Sequence, residues 1–220
     1  MANAGWRIGL HYNRSQDAAI ELKSELENKG TKTALLRADL STQSEMDELL
    51  EACSAEIGTP SLLINNASLF ANDTLEEFTS ETFDKHMAVN LRAPLLLSQA
   101  FAKSLGREIK GNIINITDQR VHNLKPSFYT YTLSKVALSA ATITMAQALA
   151  PNIRVNAVAP GPVLQSIHQT KDEFEAECAG TPLNHGTTPD EIVAAIKFIL
   201  ESPALTGQTI TLDGGQHIRT

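Results

Sequence analysis

The sequence lacks several features that would place it in a specialised class of protein. It has no run of about 18 consecutive apolar residues, the length at which a helix can cross a bilayer. Residues 1–15 have neither the basic start nor the apolar stretch of a signal peptide. Positive charge is scarce, because 18 Lys and Arg residues face 25 Asp and Glu residues, for a formal net charge of −7. We therefore expect no nucleic-acid partner, no membrane partner and a cytoplasmic location.

Cysteine is also rare, with only Cys53 and Cys178 in the whole chain. Neither belongs to a CxxC motif, so we expect reduced thiols rather than a disulfide or a zinc site. His11, His122 and His217 lack the spacing of metal ligands and are predicted to be structural or exposed. The sequence therefore predicts no metal site.

Short apolar segments alternate with longer segments of helical periodicity. The predicted strands are residues 7–12, 32–37, 61–65, 112–116, 154–158 and 208–212. The predicted helices are residues 16–29, 43–57, 81–105, 132–149 and 189–200. Strand sequences such as SLLIN and IRVNAVA are apolar on both faces, as in a parallel sheet that helices cover on both sides. With 220 residues and 42% apolar content, we predict one α/β domain, residues 1–220, with a doubly wound parallel sheet.

Residues 165–185 are the least strand-like part of the chain. Their charged sequence KDEFEAE is typical of a solvated amphipathic helix. Their position after a predicted strand favours a mobile lid over a cleft. Both interpretations stay open at this point.

Candidate site residues follow the ends of five predicted strands. They are residues 13–15, 39–40, 65–70, 117–118 and 160–163. In a doubly wound sheet, ligands bind beyond the carboxyl ends of the strands. The pattern therefore predicts one shared cleft for a small-molecule ligand.

Tyr131 and Lys135 form a YxxxK pair on a predicted helix and share one of its faces. An ammonium near a phenol lowers the phenol pKa from its usual value of about 10, which suits a tyrosine that gives a proton to a substrate. The pair alone is a weak signal, because chance occurrences on helices are common. Here it follows a strand and loop of the predicted cleft.

Six motifs in order make the chain similar to the short-chain dehydrogenase/reductase family. They are DL (39–40), NNAS (65–68, usually NNAG in the family), VN (89–90), YTLSK (131–135), IRVNAVAPGPV (153–163) and LDGG (212–215). The resemblance implies a Rossmann-like fold. It also implies a homotetramer, built partly on the helices predicted at residues 81–105 and 132–149.

The resemblance also implies a role for individual residues. Tyr131 would be the proton donor, Lys135 would lower its pKa and hold the nicotinamide ribose, and Asn90 would support a proton-relay water. The further cofactor contacts that it implies are Asp39 and Leu40 on the adenine side, Asn66, Ala67 and Ser68 along the ribose and phosphates, and Pro160 and Gly161 beside the nicotinamide.

Asp118 departs from the family pattern. Most members have a serine thirteen residues before the tyrosine, and its hydroxyl donates to a substrate carbonyl. An ionised carboxylate only accepts hydrogen bonds and would repel a carbonyl oxygen. A substrate rich in N–H donors, or a C=N bond that needs a proton, fits Asp118 better. Asp118 could instead cap a turn, but its register to Tyr131 favours a site residue.

The pteridine reductases of this family resemble the chain at three points. They have aspartate at this position, a segment similar to HYNRS (11–15), and an aromatic residue after the NNAS motif, here Phe70. By that resemblance, a pterin would lie between the nicotinamide and Phe70, with Ser68, Asp118 and Tyr131 at its polar edge. Phe70 could equally be a core or subunit-contact aromatic.

The predicted cofactor is NADPH. NAD-preferring sites usually have an acid after the relevant strand, whereas this chain has Tyr12, Asn13, Arg14 and Ser15 there. A guanidinium and small donors suit the 2′-phosphate of NADP(H).

A glycine-rich turn for the cofactor diphosphate is missing from the sequence. GWRIG (5–9) precedes a predicted strand, and no helix follows it directly. By the resemblance, the first strand, the glycine loop and most of the first helix are absent, roughly 25 residues. That strand normally separates the strands at 7–12 and 61–65. Its absence would leave two buried rows of unpaired backbone groups, each group costing about 1–3 kcal/mol.

We therefore expect the natural protein to be longer, and an intact mass near 23.8 kDa from the native source would contradict this expectation. The alternative is a truncated variant that closes its sheet differently.

Together these features predict an NADPH-dependent reductase of a pterin-like or dihydrofolate-like C=N bond, in which Tyr131 and Lys135 deliver the proton with the assistance of Asp118. One alternative is a carbonyl reductase of 3-oxoacyl thioesters that tolerates Asp118. Another is a non-catalytic binding subunit that lacks the phosphate loop.

Overall fold

Parallel strands form the framework of the protein. A computed structural model describes residues 1–106, 109–166 and 169–218. The strands in these ranges are β1 (Ile8–Tyr12), β2 (Thr33–Arg37), β3 (Leu62–Asn65), β4 (Gly111–Ile116), β5 (Ile153–Pro160) and β6 (Thr209–Leu212). All of their pairings are parallel. The predicted α/β class with a Rossmann-like parallel arrangement is confirmed.

Helices connect these strands. They are α1 (Gln16–Asn28), α2 (Gln43–Asp47), α3 (Leu49–Ile57), α4 (Ser80–Met87), α5 (Ala93–Leu105), α6 (Tyr129–Leu149), α7 (Lys171–Ala179) and α8 (Pro189–Glu201). Two predicted helices are divided, since residues 43–57 form α2 and α3, and a π-helical turn at Ala88–Arg92 separates α4 from α5. Within the described ranges, no helix is both long enough and apolar enough to cross a membrane.

The strands form two sheets rather than the single sheet that we predicted. β1 pairs with β2, and a separate sheet has the order β3-β4-β5-β6. A cavity of about 470 Å³ separates them, and residues of both β1 and β3 line it. Within the described ranges, no strand lies between β1 and β3. This is the place where, by the family resemblance, the missing first strand would lie.

We expected two rows of unpaired backbone groups to be buried, but the strands that carry them are largely not buried. No residue of β1 is buried, and three of the four residues of β3 are only half-buried. The facing strand edges border the cavity instead of a dry core, so their cost is smaller than for fully buried groups.

Helices cover both faces of the four-stranded sheet. On one face, Ile113 and Val155 pack with Phe101 of α5 in a fully buried cluster. On the other face, Ile114 and Val158 pack against α8. Ile113 and Ile114 are neighbours on β4, and successive side chains of a strand point to opposite faces. This explains why the consecutive residues Ile113 and Ile114 are both apolar.

Within residues 165–185, the structure contains the helix α7. Residues 167–168 of this segment are not among the described residues. The side chain of Thr170 accepts the N–H of Glu173, whose carboxylate accepts the N–H of Thr170 at 2.7 Å. No residue of α7 is buried, as expected for a solvated helix. The lid function stays a prediction.

Because the strands within each sheet are parallel, the segments that follow β1 to β5 all leave at the carboxyl edge of their sheet. In the larger sheet, a buried chain of side-chain hydrogen bonds lies directly below this carboxyl edge. Asn65 donates to the Oδ1 atom of Asn115 at 2.8 Å, and Asn115 donates to the hydroxyl of Thr142 on α6 at 2.9 Å. These bonds join β3, β4 and α6 below the candidate site.

Candidate active site

Asp118 and Tyr131 meet at the carboxyl end of β4. The Tyr131 hydroxyl donates to Oδ2 of Asp118 at 2.7 Å. Oδ1 of Asp118 accepts the backbone N–H of Arg120 at 2.8 Å and caps the short 3₁₀ turn Gln119–Val121. Asp118 is therefore both a turn cap and a partner of Tyr131, one oxygen for each.

The surrounding protein raises both pKa values of this pair. Desolvation raises the pKa of Asp118, and hydrogen bonds from Arg120 and Tyr131 oppose it in part. Desolvation, followed by the charge of Asp118, raises the pKa of Tyr131 well above its usual value. The phenol therefore keeps its proton at neutral pH.

Lys135 lies behind the pair and is only 2% exposed. Its Nζ donates to the carbonyl oxygen of Ile116 at 2.9 Å and lies 5.8 Å from the centre of the Tyr131 ring. Burial lowers the Lys135 pKa to about 8, and the charge of Asp118 opposes this shift. Burial and the charge of Asp118 raise the pKa of Tyr131 here, and the expected lowering effect of Lys135 on that pKa stays a prediction.

Asn90 is fully buried in the π-helical turn between α4 and α5. Its amide accepts the N–H of Leu69 at 2.8 Å and donates to the Leu69 carbonyl at 2.9 Å. It also donates to the hydroxyl of Ser134 on α6 at 3.0 Å. Asn90 thus joins the NNAS segment to α6, and its proposed support of a relay water stays a prediction.

Phe70 and Ser68 border Tyr131 from the segment after β3. The Phe70 ring lies edge-on to the Tyr131 ring, with centroids 4.8 Å apart. Ser68 is exposed, and a hydrogen bond from its hydroxyl lowers the pKa of Tyr131, against the larger upward effects. Phe70 therefore contacts the candidate site, and its role in substrate binding stays a prediction.

Two residues at the site were not predicted from the sequence, Phe128 and Arg120. Phe128 stacks on Phe70 with ring centroids 4.3 Å apart and planes 6° apart. The guanidinium of Arg120 lies 4.9 Å from the centre of the Phe128 ring. Arg120 follows Asp118 by two residues, which is a usable signal. Phe128 adopts a left-handed backbone with φ of 52°, and no local pattern indicates this conformation for an aromatic residue.

Residues predicted to bind the adenine side of the cofactor lie on the two-stranded sheet. Asn13, Arg14 and Ser15 follow β1 and are exposed. Hydrogen bonds from Ser41 lower the pKa of Asp39, and the Arg14 charge adds a smaller effect in the same direction. These groups therefore lie near one another.

The remaining predicted cofactor residues differ in what they can offer. Leu40 is 7% exposed and its side chain packs in a core cluster, so only its backbone is available. Tyr12 ends β1, Asn66 is exposed, and Ala67 is half-buried. Pro160 is buried at the end of β5.

Gly161 is in close contact with the end of β6. Its N–H donates to the Leu212 carbonyl at 2.8 Å. A Cβ atom at Gly161 would lie 2.7 Å from Cα of Asp213, so no larger residue fits without movement. Close packing against Asp213 therefore favours glycine at position 161.

The hydrogen-bond donors at the site fit both ends of NADP(H). Arg14 and its polar neighbours suit an exposed phosphate, and Lys135 presents a buried ammonium beside Tyr131. No glycine-rich turn for a diphosphate follows a strand in the described ranges. The fit therefore rests on the adenosine and nicotinamide ends.

The predicted structural histidines have local partners or exposure. His11 Nε2 lies 2.9 Å from the Ala38 carbonyl oxygen, and Nδ1 of His217 lies 2.7 Å from Oδ2 of Asp213. His122 is exposed. Within the described ranges, no three His, Cys, Asp or Glu residues form a group that could hold a metal ion.

Known proteins similar to this chain carry the same architecture. A family model described as enoyl-(acyl carrier protein) reductase matches residues 1–217. The crystal structure of FolM alternative dihydrofolate reductase 1 from Brucella suis in complex with NADP matches with a TM-score of 0.97 and 40% identity, covering 100% of this chain and 88% of that chain. The chain belongs to the short-chain dehydrogenase/reductase family.

Two curated relatives extend this comparison. The uncharacterized oxidoreductase YjdA of Bacillus subtilis is 33% identical, covering 93% of this chain and 83% of YjdA. A 3-oxoacyl-[acyl-carrier-protein] reductase of Synechocystis sp. is 27% identical, covering 98% of this chain and 88% of that protein. The predicted cofactor, NADP(H), is the one that the Brucella suis structure holds.

Proposed function

We propose that this protein is an NADPH-dependent reductase of a pterin-like or dihydrofolate-like C=N bond. The observation that carries the proposal is the 2.7 Å bond between Tyr131 and Asp118. A carboxyl group beside the tyrosine suits a pterin better than a carbonyl substrate, because it accepts hydrogen bonds from the N–H-rich edge of the ring when ionised and supplies a proton toward the C=N nitrogen when neutral. The similarity to FolM alternative dihydrofolate reductase supports this choice.

The substrate ring would stack beside Phe70, with its polar edge toward Ser68, Asp118 and Tyr131. The face of Phe70 that Phe128 covers is occupied at a centroid distance of 4.3 Å. A substrate that stacks on this face of Phe70 would therefore displace Phe128. The edge contact between Phe70 and Tyr131 supports this placement, because it brings the stacking ring to the proton donor.

The proton step uses Asp118 and Tyr131 as a relay. Bound NADPH supplies the hydride to the carbon of the C=N bond. Tyr131 would give its hydroxyl proton to the ring nitrogen. For this step Asp118 must be protonated and the bond must run opposite to the one in the structure, where Tyr131 donates to Asp118, so that the carboxyl proton passes to the Tyr131 oxygen. The raised pKa of Asp118 favours this neutral form. The step leaves a neutral phenol and a carboxylate, which the nearby charges of Arg120 and Lys135 stabilise.

On the cofactor side, Asn13, Arg14 and Ser15 would hold the 2′-phosphate. Lys135 would hold the nicotinamide ribose, and the Pro160–Gly161 backbone would flank the nicotinamide ring. The exposed guanidinium of Arg14 and the small donors beside it support this assignment.

Steady-state oxidation of NADPH tests the proposal with three substrates: dihydrobiopterin, dihydrofolate and an acetoacetyl thioester. We expect turnover of at least one of the two pterins. Turnover of the thioester alone would replace the proposal with carbonyl reduction, the candidate that the Synechocystis sp. relative supports. An absence of NADPH binding in calorimetry would favour a non-catalytic subunit.

The assembly is part of the proposal. We propose a homotetramer that uses apolar side chains on the long helices, and Leu95, Leu133 and Ile143 are exposed there. Light scattering after size exclusion should give four times the chain mass, and a monomer would contradict this assembly. A cytoplasmic location remains a prediction from the sequence.

A further inference from the structure

Three polar side chains near the candidate site form a buried network that the proton relay does not use. Asp73 comes from the segment after β3, His86 from α4, and Thr130 from the first turn of α6. His86 and Thr130 are fully buried, and Asp73 is 7% exposed. Nδ1 of His86 lies 2.7 Å from the Thr130 hydroxyl, which donates its proton to Oδ2 of Asp73.

The partners determine the direction of every bond in this network. The Thr130 hydroxyl has one proton and gives it to Asp73, so it can only accept from His86. Nδ1 of His86 therefore carries a proton. Nε2 of His86 accepts the backbone N–H of Ala71 at 3.3 Å, so it carries none. His86 is thus a neutral imidazole of a single tautomer.

The network joins two segments that hold the substrate-facing groups. Ala71 directly follows Phe70, and Thr130 directly precedes Tyr131. Asp73 also accepts the backbone N–H of Thr130 at 2.9 Å, and its carbonyl accepts the N–H of Tyr129 at 3.1 Å. The segment after β3 therefore caps α6 from outside the helix.

We propose that His86 is a positioning residue that, through Thr130 and Asp73, sets the placement of Phe70 relative to Tyr131 and thereby the affinity for the flat substrate. This inference rests on the proposed function, because it assigns Phe70 to substrate stacking. His86 touches neither substrate nor cofactor in this scheme. Its hydrogen bonds connect the stacking ring to the proton donor.

A second proton on His86 would break this arrangement. It would occupy Nε2 and leave two N–H groups, those of His86 and Ala71, facing each other. Asp73 from the segment after β3 and the Tyr131 ring of α6, at a centroid distance of 6.1 Å, face the imidazole. Desolvation lowers the His86 pKa, whereas the charge of Asp73 opposes that shift. Substrate binding should therefore weaken at acidic pH.

Matched variants test the role of His86. In His86→Gln, one amide can accept from Ala71 and donate to Thr130, whereas His86→Leu loses both bonds. We expect His86→Leu to lower kcat/KM for the pterin about tenfold, with the KM for NADPH within about twofold of the original. His86→Gln should stay close to the original protein and lose the acid-side decrease in kcat/KM.

Two results would overturn the inference. One is an equal rise of both KM values in His86→Leu, which would indicate general damage. The other is an unchanged acid-side decrease in His86→Gln. Thr130→Val and Thr130→Ser form a second pair, in which only the valine variant should weaken pterin binding.

The tautomer gives a readout that does not depend on turnover. Nitrogen NMR of histidine-labelled protein should show His86 protonated at Nδ1 and bare at Nε2. A proton at Nε2 would contradict the network even in an enzyme that reduces pterins. Conversely, the expected tautomer in a protein that reduces only thioesters would retain the network and reject the proposed substrate.

Discussion

The region around Asp118 and Tyr131 and the proposed adenine-side region of this protein are built in opposite ways. At the end of β4, Tyr131 donates a hydrogen bond to Asp118 and Lys135 donates one to the Ile116 carbonyl, and both Tyr131 and Lys135 are buried. After β1, Asn13 and Arg14 are exposed on a two-stranded sheet whose first strand has no buried residue. The proposed reacting groups are therefore ordered in advance, whereas the proposed adenine-side groups would lose side-chain freedom when a ligand binds.

The largest expected effect is on the catalytic side. Tyr131→Phe removes the proton donor and preserves the ring that contacts Phe70. We expect kcat for the pterin to fall about 10²–10⁴-fold. Calorimetric NADPH affinity should stay within about threefold, and a fall in kcat below tenfold would contradict the role of the phenol.

Asp118→Asn should reduce kcat about 10²-fold, because an amide cannot pass a proton to Tyr131. The pH dependence gives a sharper test. A raised pKa retains the neutral carboxyl to higher pH, so activity should decrease as pH rises through the Asp118 pKa. The Asn variant should lack that decrease, and its persistence would assign the titration to another group.

Asn115→Ala tests whether the larger sheet supports the site. Asn115 is fully buried and bonds to both Asn65 and Thr142. Its truncation leaves a cavity and two partners without their bond, so we expect a loss of about 2–4 kcal/mol in the free energy of unfolding. Asn13→Ala, on the exposed region, should change it by less than about 0.5 kcal/mol in the same denaturant titration. Equal losses would contradict the contrast between the two regions.

The smallest effect concerns cofactor choice. Arg14→Asp should reduce the preference for NADPH over NADH about tenfold, measured as a ratio of dissociation constants. Arg7→Asp makes the same charge change before the start of β1 and should leave the ratio unchanged. An equal loss of affinity for both cofactors in Arg14→Asp would refute the 2′-phosphate assignment.

The local sequence pattern predicted most of the strands and helices, and also the contact between Asp118 and Tyr131. Apolar strands separated by helical segments indicated the parallel arrangement, and the register of Asp118 to Tyr131 placed them together. The start of α6 was predicted three residues late, because Asp73, 57 positions before Thr130, binds its first N–H groups. Local sequence contains no signal of such a distant cap.

Electrostatics was the least predictable property. The spacing of Tyr131 and Lys135 correctly indicated proximity, but it said nothing about burial. Burial and the Asp118 partner determine the direction of the Tyr131 pKa shift. The left-handed backbone of Phe128 and the π-helical turn at Asn90 likewise depend on groups that are distant along the chain.

The two oxygens of Asp118 restrict how this enzyme can diverge. One oxygen shapes the loop through the Arg120 N–H, and the other binds the phenol. A serine offers one oxygen for both tasks. Under the proposed function, we therefore expect a change to carbonyl specificity by Asp118→Ser to need accompanying changes in residues 119–121.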